Sequence, residues 1–253
     1  MLPAERRNYI MDILRKEGKV EIDSLAVKLG VSPMTVRRDL AILEEQGVAY
    51  RTHGGAVLHN GLVGEVPYTH KETSHIEEKR RIGQEAATLI KDGQVIILDS
   101  GTTTREIVRG IKNLNDLTVI TNDLKIALEL SETTDFKVFC TGGLVQNRLG
   151  AMLGSTGENF LAGIRVDITF LGASAIDLKW GMTSPNLDKA SMKKKMMAAA
   201  DRVVLVADHT KFGKKSFAQI APVEEVDLLI TDRGLDQSVL KQIIKLGVQT
   251  RVV

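Results

Sequence analysis

The sequence predicts an α/β chain in two unequal parts. A small N-terminal winged helix-turn-helix unit spans 1–57, a connector spans 58–75, and a larger Rossmann-like domain with a mostly parallel sheet spans 76–253. Three observations carry this. Apolar residues recur at helical spacing in the N-terminal segment and then alternate across a Gly54-Gly55 turn. From residue 76 onward, short Val/Ile-rich runs take turns with amphipathic helical stretches. A chain of 253 residues has room for one small and one medium domain.

The N-terminal elements follow from local signals. Tyr9, Ile10, Ile13 and Leu14 make one helical stripe that ends near Gly18. The extended piece KVEI leads to a second helix, SLAVKL, which Asp23 can cap and Gly30 stops. A third helix follows in VSPMTVRRDLAILEEQG, with Ser32 as N-cap, Pro33 in the first helical position and Gly47 at its end. Val36, Leu40 and Leu43 share its inward stripe. At about 100° per residue, Met34, Arg38 and Ala41 then face outward, flanked by Thr35 and Arg37. Finally, VAYRTHGGAVL reads as a hairpin wing carrying Arg51 and His53.

Two short helices joined by a tight turn suit the major groove. The N-terminal part of the second can meet base edges while its arginines meet phosphates. Paired arginines alone would be an ordinary solvated helix face. Residues 1–57 hold nine Lys/Arg against eight Asp/Glu, so the order of elements carries the reading rather than bulk charge. LAVKLGVSPMTVRRDLAILEEQG followed by YRTHGGA resembles the DNA-binding module of the DeoR family of bacterial transcription regulators. The resemblance implies that Ser32, Thr35, Arg37 and Arg38 face operator DNA, with Arg51 and His53 in the wing; Met34 joins the DNA-binding residues from its outward place on the helical wheel.

The connector has glycines, a proline, mixed charge and no period. Its histidines, His59, His70 and His75, lack metal-site spacing and read as solvent-exposed.

In the larger part, QVIILD, LTVITN, FKVFCTG, VDITFLGA, RVVLVAD, VDLLITD and TRVV read as buried parallel strands separated by helices. Ligands of such sheets sit beyond the carboxyl ends of the strands. There the sequence places Asp99, Ser100, Gly101, Thr102 and Thr103, then Thr121 and Asn122, then Gly142 and Gly143, then Asp177, and after Asp208 the cation Lys211. Hydroxyls, backbone N–H groups and a helix start suit a small phosphate ester, carboxylates suit sugar hydroxyls, and Lys211 suits the negative charge. Neither GxxxxGK nor GxGxxG is present, so no nucleotide cofactor is expected.

LDSGTTT, TVITN, TGG, LGASAID with GMTSPN, ADHTKFG and LLITD also resemble the DeoR family, in its sugar-phosphate sensor domain. The resemblance implies a fold related to ribose-5-phosphate and glucosamine-phosphate isomerases. It further implies an effector site of Asp99–Thr103, Thr121, Asn122, Gly142, Gly143, Asp177 and Lys211. The function it implies is a repressor of a sugar-metabolism operon, released by a phosphorylated sugar and acting as a dimer or tetramer. The alternative is a sugar-phosphate isomerase with an appended DNA-binding unit, for which Asp99, Asp177 and Asp208 are the available carboxylates.

The remaining features are weaker. The chain's net charge is +2 and aromatics are 4%, so its cores must rest on aliphatic residues. Cys140, the single cysteine, reads as a buried small hydrophobe in FKVFC. Trp180 reads as a rim or interface residue, and Lys193-Lys194-Lys195 as a solvated helix face or a tuner of ligand choice. No Cys/His cluster has zinc spacing, no apolar run approaches the roughly 20 residues of a membrane span, and the charged N-terminus is unlike a signal peptide. A cytoplasmic protein without metal is expected.

Overall fold

The computed structural model describes residues 2–45, 48–51, 54–58, 62–65 and 68–253. It divides into two compact units, 1–66 and 67–253.

The first unit holds α1 (Pro3–Glu17), β1 (Lys19–Glu21), α2 (Ile22–Leu29), α3 (Pro33–Glu45), β2 (Ala49–Arg51) and β3 (Gly55–Leu58). Gly18 and Gly30 end α1 and α2 in the left-handed conformation, at φ 76° and 63°. Asp23 lies within the first turn of α2, which begins two residues earlier than the capping pattern indicated. The strands form an antiparallel sheet in the order β1-β3-β2. Gly55 is required at the β1–β3 crossing, because a Cβ there would lie 1.9 Å from the carbonyl oxygen of Val20. Ile10, Leu14, Val36, Leu40 and Leu43 are fully buried together, so α1 and α3 share one core.

The second unit begins inside the stretch read as connector. Tyr68–Thr73 forms a short helix, α4, and Tyr68 is buried. Polar composition hid this helix, which is anchored by the buried Tyr68 ring and by the ion pair of Glu72 with Arg105 at 3.0 Å. Next come α5 (Ile76–Ala87), β4 (Val95–Leu98), α6 (Thr102–Ile111), β5 (Thr118–Thr121), α7 (Leu124–Thr133) and β6 (Lys137–Cys140). A hairpin of β7 (Leu144–Val145) and β8 (Met152–Leu153) leads to α8 (Ser155–Ala162) and β9 (Val166–Leu171). Then β10 (Ala175–Asp177), β11 (Gly181–Ser184), α9 (Leu187–Ala199), β12 (Ala200–Val206) and β13 (Ala218–Ala221) follow. The chain closes with β14 (Leu228–Thr231), α10 (Gln237–Lys245) and β15 (Gln249–Val252).

The seven strands read from the sequence form one parallel sheet, in the order β15-β14-β12-β9-β4-β5-β6. Alternate side chains serve opposite faces: Ile96 and Leu98 join the core beneath α5, α6 and α7, while Ile97 joins the core beneath α8, α9 and α10. From β4 the chain steps outward to β5 and β6, returns to β9 on the other side of β4, and continues outward to β15. The reversal between β4 and β9 is a topological switch point, where open α/β sheets leave a crevice.

Asp177 stands elsewhere than the sequence suggested. β9 ends at Leu171, and Asp177 closes β10 in a separate antiparallel sheet of order β10-β11-β13. The run LGASAID looked like one strand end because its small residues hide the break between the two strands.

Candidate functional site

The helix α3 is presented as the sequence indicated. Ser32 Oγ accepts from the Thr35 amide at 3.2 Å, which fixes the helix start. Met34 is 62% exposed, Arg37 and Arg38 are exposed, and Thr35 is half-buried beside them. Asp39, one residue beyond the arginines, points inward. It accepts from Arg6 Nε at 2.5 Å, and Arg7 lies 3.6 Å from its other oxygen. This pair ties α3 to α1. In the wing, Arg51 is exposed and its amide donates to Glu44 Oε1 at 2.9 Å. His53 and His59 lie outside the described residues.

In the second unit the switch-point crevice gathers the polar groups. Asp99, at the end of β4, is 1% exposed. Its Oδ2 accepts from the Gly172 amide beyond β9, at 2.9 Å, and from the ammonium of Lys193 on α9. Lys193 also donates to the Gly172 carbonyl at 2.9 Å. The reading of Lys193 as a solvated face is therefore corrected: Lys193 is 7% exposed, whereas Lys194 and Lys195 are exposed. A buried carboxylate at the crevice floor supplies the partner that makes burial of this lysine tolerable.

The loop Ser100–Thr103 follows Asp99. The Ser100 amide donates to Asn122 Oδ1 at 2.7 Å and its hydroxyl to Asp123 Oδ2 at 3.0 Å. Helix α6 opens at Thr102 with Gly101 as N-cap and no capping side chain, so its first amides are donors without a side-chain acceptor. Thr121 Oγ1 donates to the Leu98 carbonyl at 2.7 Å and accepts from the Asp123 amide at 3.0 Å, all at 0% exposure. Thr121 and Asn122 thus brace the loop from β5. Gly142 and Gly143 follow β6 at φ 74° and 108°, and Gly143 passes so close to Leu153 that a Cβ would lie 2.3 Å from its carbonyl oxygen. Asp177 Oδ1 accepts from the Lys179 and Trp180 amides, which occupies it in its own hairpin turn.

At the next strand end beyond β9, Asp208 follows β12 at 1% exposure. Its Oδ1 accepts from the Thr210 amide at 3.0 Å and from the Thr210 hydroxyl, while Oδ2 is buried with no hydrogen-bond partner among the described residues. Burial raises this carboxyl, but Lys211, Thr210 and Lys79 outweigh it and hold it below the ordinary range. Lys79 on α5 is 3% exposed, and its ammonium donates to the carbonyls of Lys71 and, at 2.6 Å, Ser74. Burial, assisted by Lys211 and Lys71 and opposed by Asp208, pushes the Lys79 amine down to about 8. His209 Nδ1 lies 2.8 Å from Asp232 Oδ2 at the end of β14.

The sequence reading missed Lys79, Asp123 and Asp232, and singled out Lys193 only as part of a basic run. A signal existed for the two lysines. Lys79 shares a helical stripe with Ile82, Gly83 and Ala86, and Lys193 one with Ala190 and Met196, so each sits where an apolar residue is expected.

Among the described residues no group of three His, Cys, Asp or Glu is placed to hold a metal, and no helix is long and apolar enough to cross a membrane.

A helix-turn-helix unit with a β-wing, followed by an α/β domain with a polar crevice at its switch point, is the architecture of a transcription regulator with a separate C-terminal domain. The DeoR-like helix-turn-helix domain matches residues 6–61, and the DeoR C terminal sensor domain matches residues 74–233. The chain belongs to the DeoR family of transcription regulators. It is 41% identical over 248 residues to the HTH-type transcriptional regulator GlpR of Haloferax volcanii, covering 98% of this chain and 97% of that one. It is 34% identical over 252 residues to a putative aga operon transcriptional repressor of Escherichia coli O157:H7, covering 99% and 94%. A solved ribose 5-phosphate isomerase from Methanocaldococcus jannaschii aligns over 55% of each chain at 20% identity and a TM-score of 0.40.

Proposed function

We propose that this regulator is a cytoplasmic repressor of a sugar-metabolism operon, binding paired operator half-sites as a homo-oligomer and releasing them when a phosphorylated sugar fills the crevice between β4 and β9. The observation that carries the reading is the set of polar groups with open valences at the ends of neighbouring strands. After β4 stand α6 amides without a capping side chain; after β12 stands a carboxylate oxygen of Asp208 without a hydrogen-bond partner among the described residues, with the buried Lys79 ammonium and the half-buried cation Lys211 close enough to lower that carboxyl. A phosphate satisfies the amides and cations, and a sugar hydroxyl satisfies Asp208 Oδ2. The names of the two relatives, one called GlpR and one assigned to an aga operon, support a carbohydrate-linked role.

In this reading Ser100, Gly101, Thr102 and Thr103 cradle the phosphate, with Gly142 and Gly143 lining the neighbouring strand end. Asp99, Thr121 and Asn122 hold the cradle's shape, and Asp177 contributes to the rim hairpin rather than to the ligand. Arg37, Arg38, Thr35 and Met34 read bases, while Ser32, Arg51 and His53 meet the backbone. Control is linkage: the effector favours one arrangement of the protein over another, and DNA favours the reverse. Sensing requires no turnover, and pentose and hexose phosphates incubated with the protein should be recovered unchanged.

The test is a thermal-shift screen against phosphorylated sugars, followed by operator binding with and without each hit. A ligand of the native state must raise the melting temperature. The reading stands if a stabilising sugar phosphate also weakens operator binding. It falls if no phosphorylated sugar alters either quantity.

A further inference from the structure

We propose that the outer edge of β6 is where a second copy of this chain docks, two β6 strands pairing antiparallel about a two-fold axis. The inference rests on the reading of the chain as a regulator of paired half-sites, and it names the surface through which the pair forms.

β6 is the last strand of the parallel sheet, and among the described residues no strand lies beyond it. An open edge is a template for further pairing, and monomeric proteins blunt it with charges, proline or a bulge. Here the strand is Lys137-Val138-Phe139-Cys140. Its single charge stands at the first position, where Lys137 Nζ lies 3.4 Å from Asp116 Oδ1. Phe139 is 47% exposed and Cys140 is exposed, which corrects the expectation that this cysteine is buried. The error has a physical source: FKVFC has the apolar run of a central strand, yet the strand stands at the sheet's border.

The ground beside the edge is apolar as well. Leu124 and Leu128 lie one turn apart on α7, and Leu144 and Val145 form β7, with Leu128 and Leu144 59% and 80% exposed. The Leu124 amide donates to Gly150 at 3.0 Å, which fastens the loop of the β7–β8 hairpin to the start of α7. With Phe139, which stands on the opposite face of the sheet beside Phe160 of α8, these four side chains leave on the order of 500 Å² of apolar surface per copy, flanking the edge from both faces, against the roughly 800 Å² each partner gives to a standard interface. Strand pairing supplies the rest. The opposite border, β15, reads Gln-Thr-Arg-Val, and its Arg251 is held by Glu85 at 2.6 Å.

A second copy fits this edge better than a different partner, because antiparallel pairing of one strand with itself is isologous and closes after two chains. The same geometry sends the two Lys137 side chains to opposite ends of the joint, so like charges do not face each other. The joint stands two strands away from β4 at the crevice floor, and Gly142 and Gly143 form the stretch between Cys140 in the joint and Leu144.

Cys140 is the only thiol in the chain and lies in the proposed joint, so it reports occupancy directly. Sedimentation velocity and maleimide labelling of the full-length protein test the proposal, with Leu128→Lys and Phe139→Lys as variants. Both substitutions are at exposed positions, and unchanged melting curves confirm folding. The wild type should sediment as a dimer or tetramer and each variant at half that size. Cys140 in the wild type should label about tenfold or more slowly than in Leu128→Lys. A monomeric wild type overturns the proposal. So does an oligomer whose Cys140 reacts as fast as in Leu128→Lys, or variants that keep the wild-type size. Operator binding by the same preparations reads the regulator assignment separately: a wild type that assembles with Cys140 protected but binds no operator retains the joint and loses the assignment.

Discussion

Arg6 of α1 and Asp39 of α3 form a buried ion pair, Nε to Oδ2 at 2.5 Å, with side chains 11% and 3% exposed. The motif Arg37-Arg38-Asp39-Leu40 therefore splits its work: the arginines face outward, while the aspartate fixes the helix that carries them. The guanidinium of Arg6 is held above its ordinary value chiefly by its hydrogen bond to Asp39. Asp39→Ala should destabilise the first unit by about 3 kcal/mol, because it strands a buried cation. Replacing both partners, Arg6→Met with Asp39→Leu, should recover most of that loss. Urea denaturation followed by circular dichroism measures both; equal losses in the single and double variants would show that the pair contributes nothing specific.

Arg37→Ala and Arg38→Ala act on the opposite face of the same helix and should leave stability unchanged. Each should weaken specific operator binding by about 1–3 kcal/mol if it contacts a base edge. A contact to phosphate instead weakens all sequences alike and lowers the salt dependence by about one ion. Fluorescence anisotropy at two salt concentrations separates the cases, and unchanged affinity would remove the residue from the interface.

How far the sequence could be read depended on how local each determinant is. The five inner strands were legible because a strand buried on both faces is a continuous apolar run; the border strands β6 and β15 carry short apolar runs of the same kind although they are largely exposed. The stripe Val36, Leu40, Leu43 was legible because helical spacing needs no partner. Strand order was not, since β9 pairs with β4 across 67 intervening residues that give no local sign of it. The crevice was half legible. The donors of Ser100–Thr103 announce themselves by residue type and by the helix that follows, whereas Lys79 and Lys193 look like surface lysines until their stripes are seen to be buried. Asp177 and Cys140 failed for one reason: a run of suitable residues does not say which sheet, or which position within it, the run will occupy.

Thr102→Ala and Lys211→Ala separate sensing from DNA binding. Neither residue lies in the first unit, so operator affinity without effector should stay within twofold or so. Effector affinity should fall by about tenfold or more in Lys211→Ala, which removes a charge-assisted bond, and less in Thr102→Ala, which keeps the backbone donor. Titrating the release of operator DNA with effector measures this. A full response in both variants would place the anion elsewhere.

The pH dependence of effector binding follows from Lys79. With its amine lowered from 10.5 to about 8, mainly by burial, the ammonium that an anion needs is lost as pH rises through 8. A phosphate monoester loses its second proton near pH 6. Affinity should therefore be flat between about pH 6 and 8 and fall by up to about tenfold per unit above that. Stability of the unliganded protein moves the other way. Between about 8 and 10.5 the unfolded chain binds more protons at this lysine than the folded one, so folding gains as pH rises through that window. Calorimetric titration at several pH values checks the first trend and melting curves the second. Lys79→Met should abolish the loss of affinity above pH 8 while lowering affinity throughout.

Lys193 and Asp99 offer the sharpest test of the crevice floor. Lys193→Met leaves Asp99 at 1% exposure with the Gly172 amide as its remaining donor. An uncompensated buried carboxylate costs about 3–5 kcal/mol, so the variant should melt well below the wild type. Asp99→Asn in the Lys193→Met background removes the stranded charge while keeping an acceptor for Gly172, and should restore much of the stability. Effector response should not return with it, because the wild-type pair joins the end of β4 to α9 and to the loop after β9, fixing the loop that starts at Ser100. Stability restored together with a full effector response would mean that the pair serves folding alone and that the cradle keeps its shape without it.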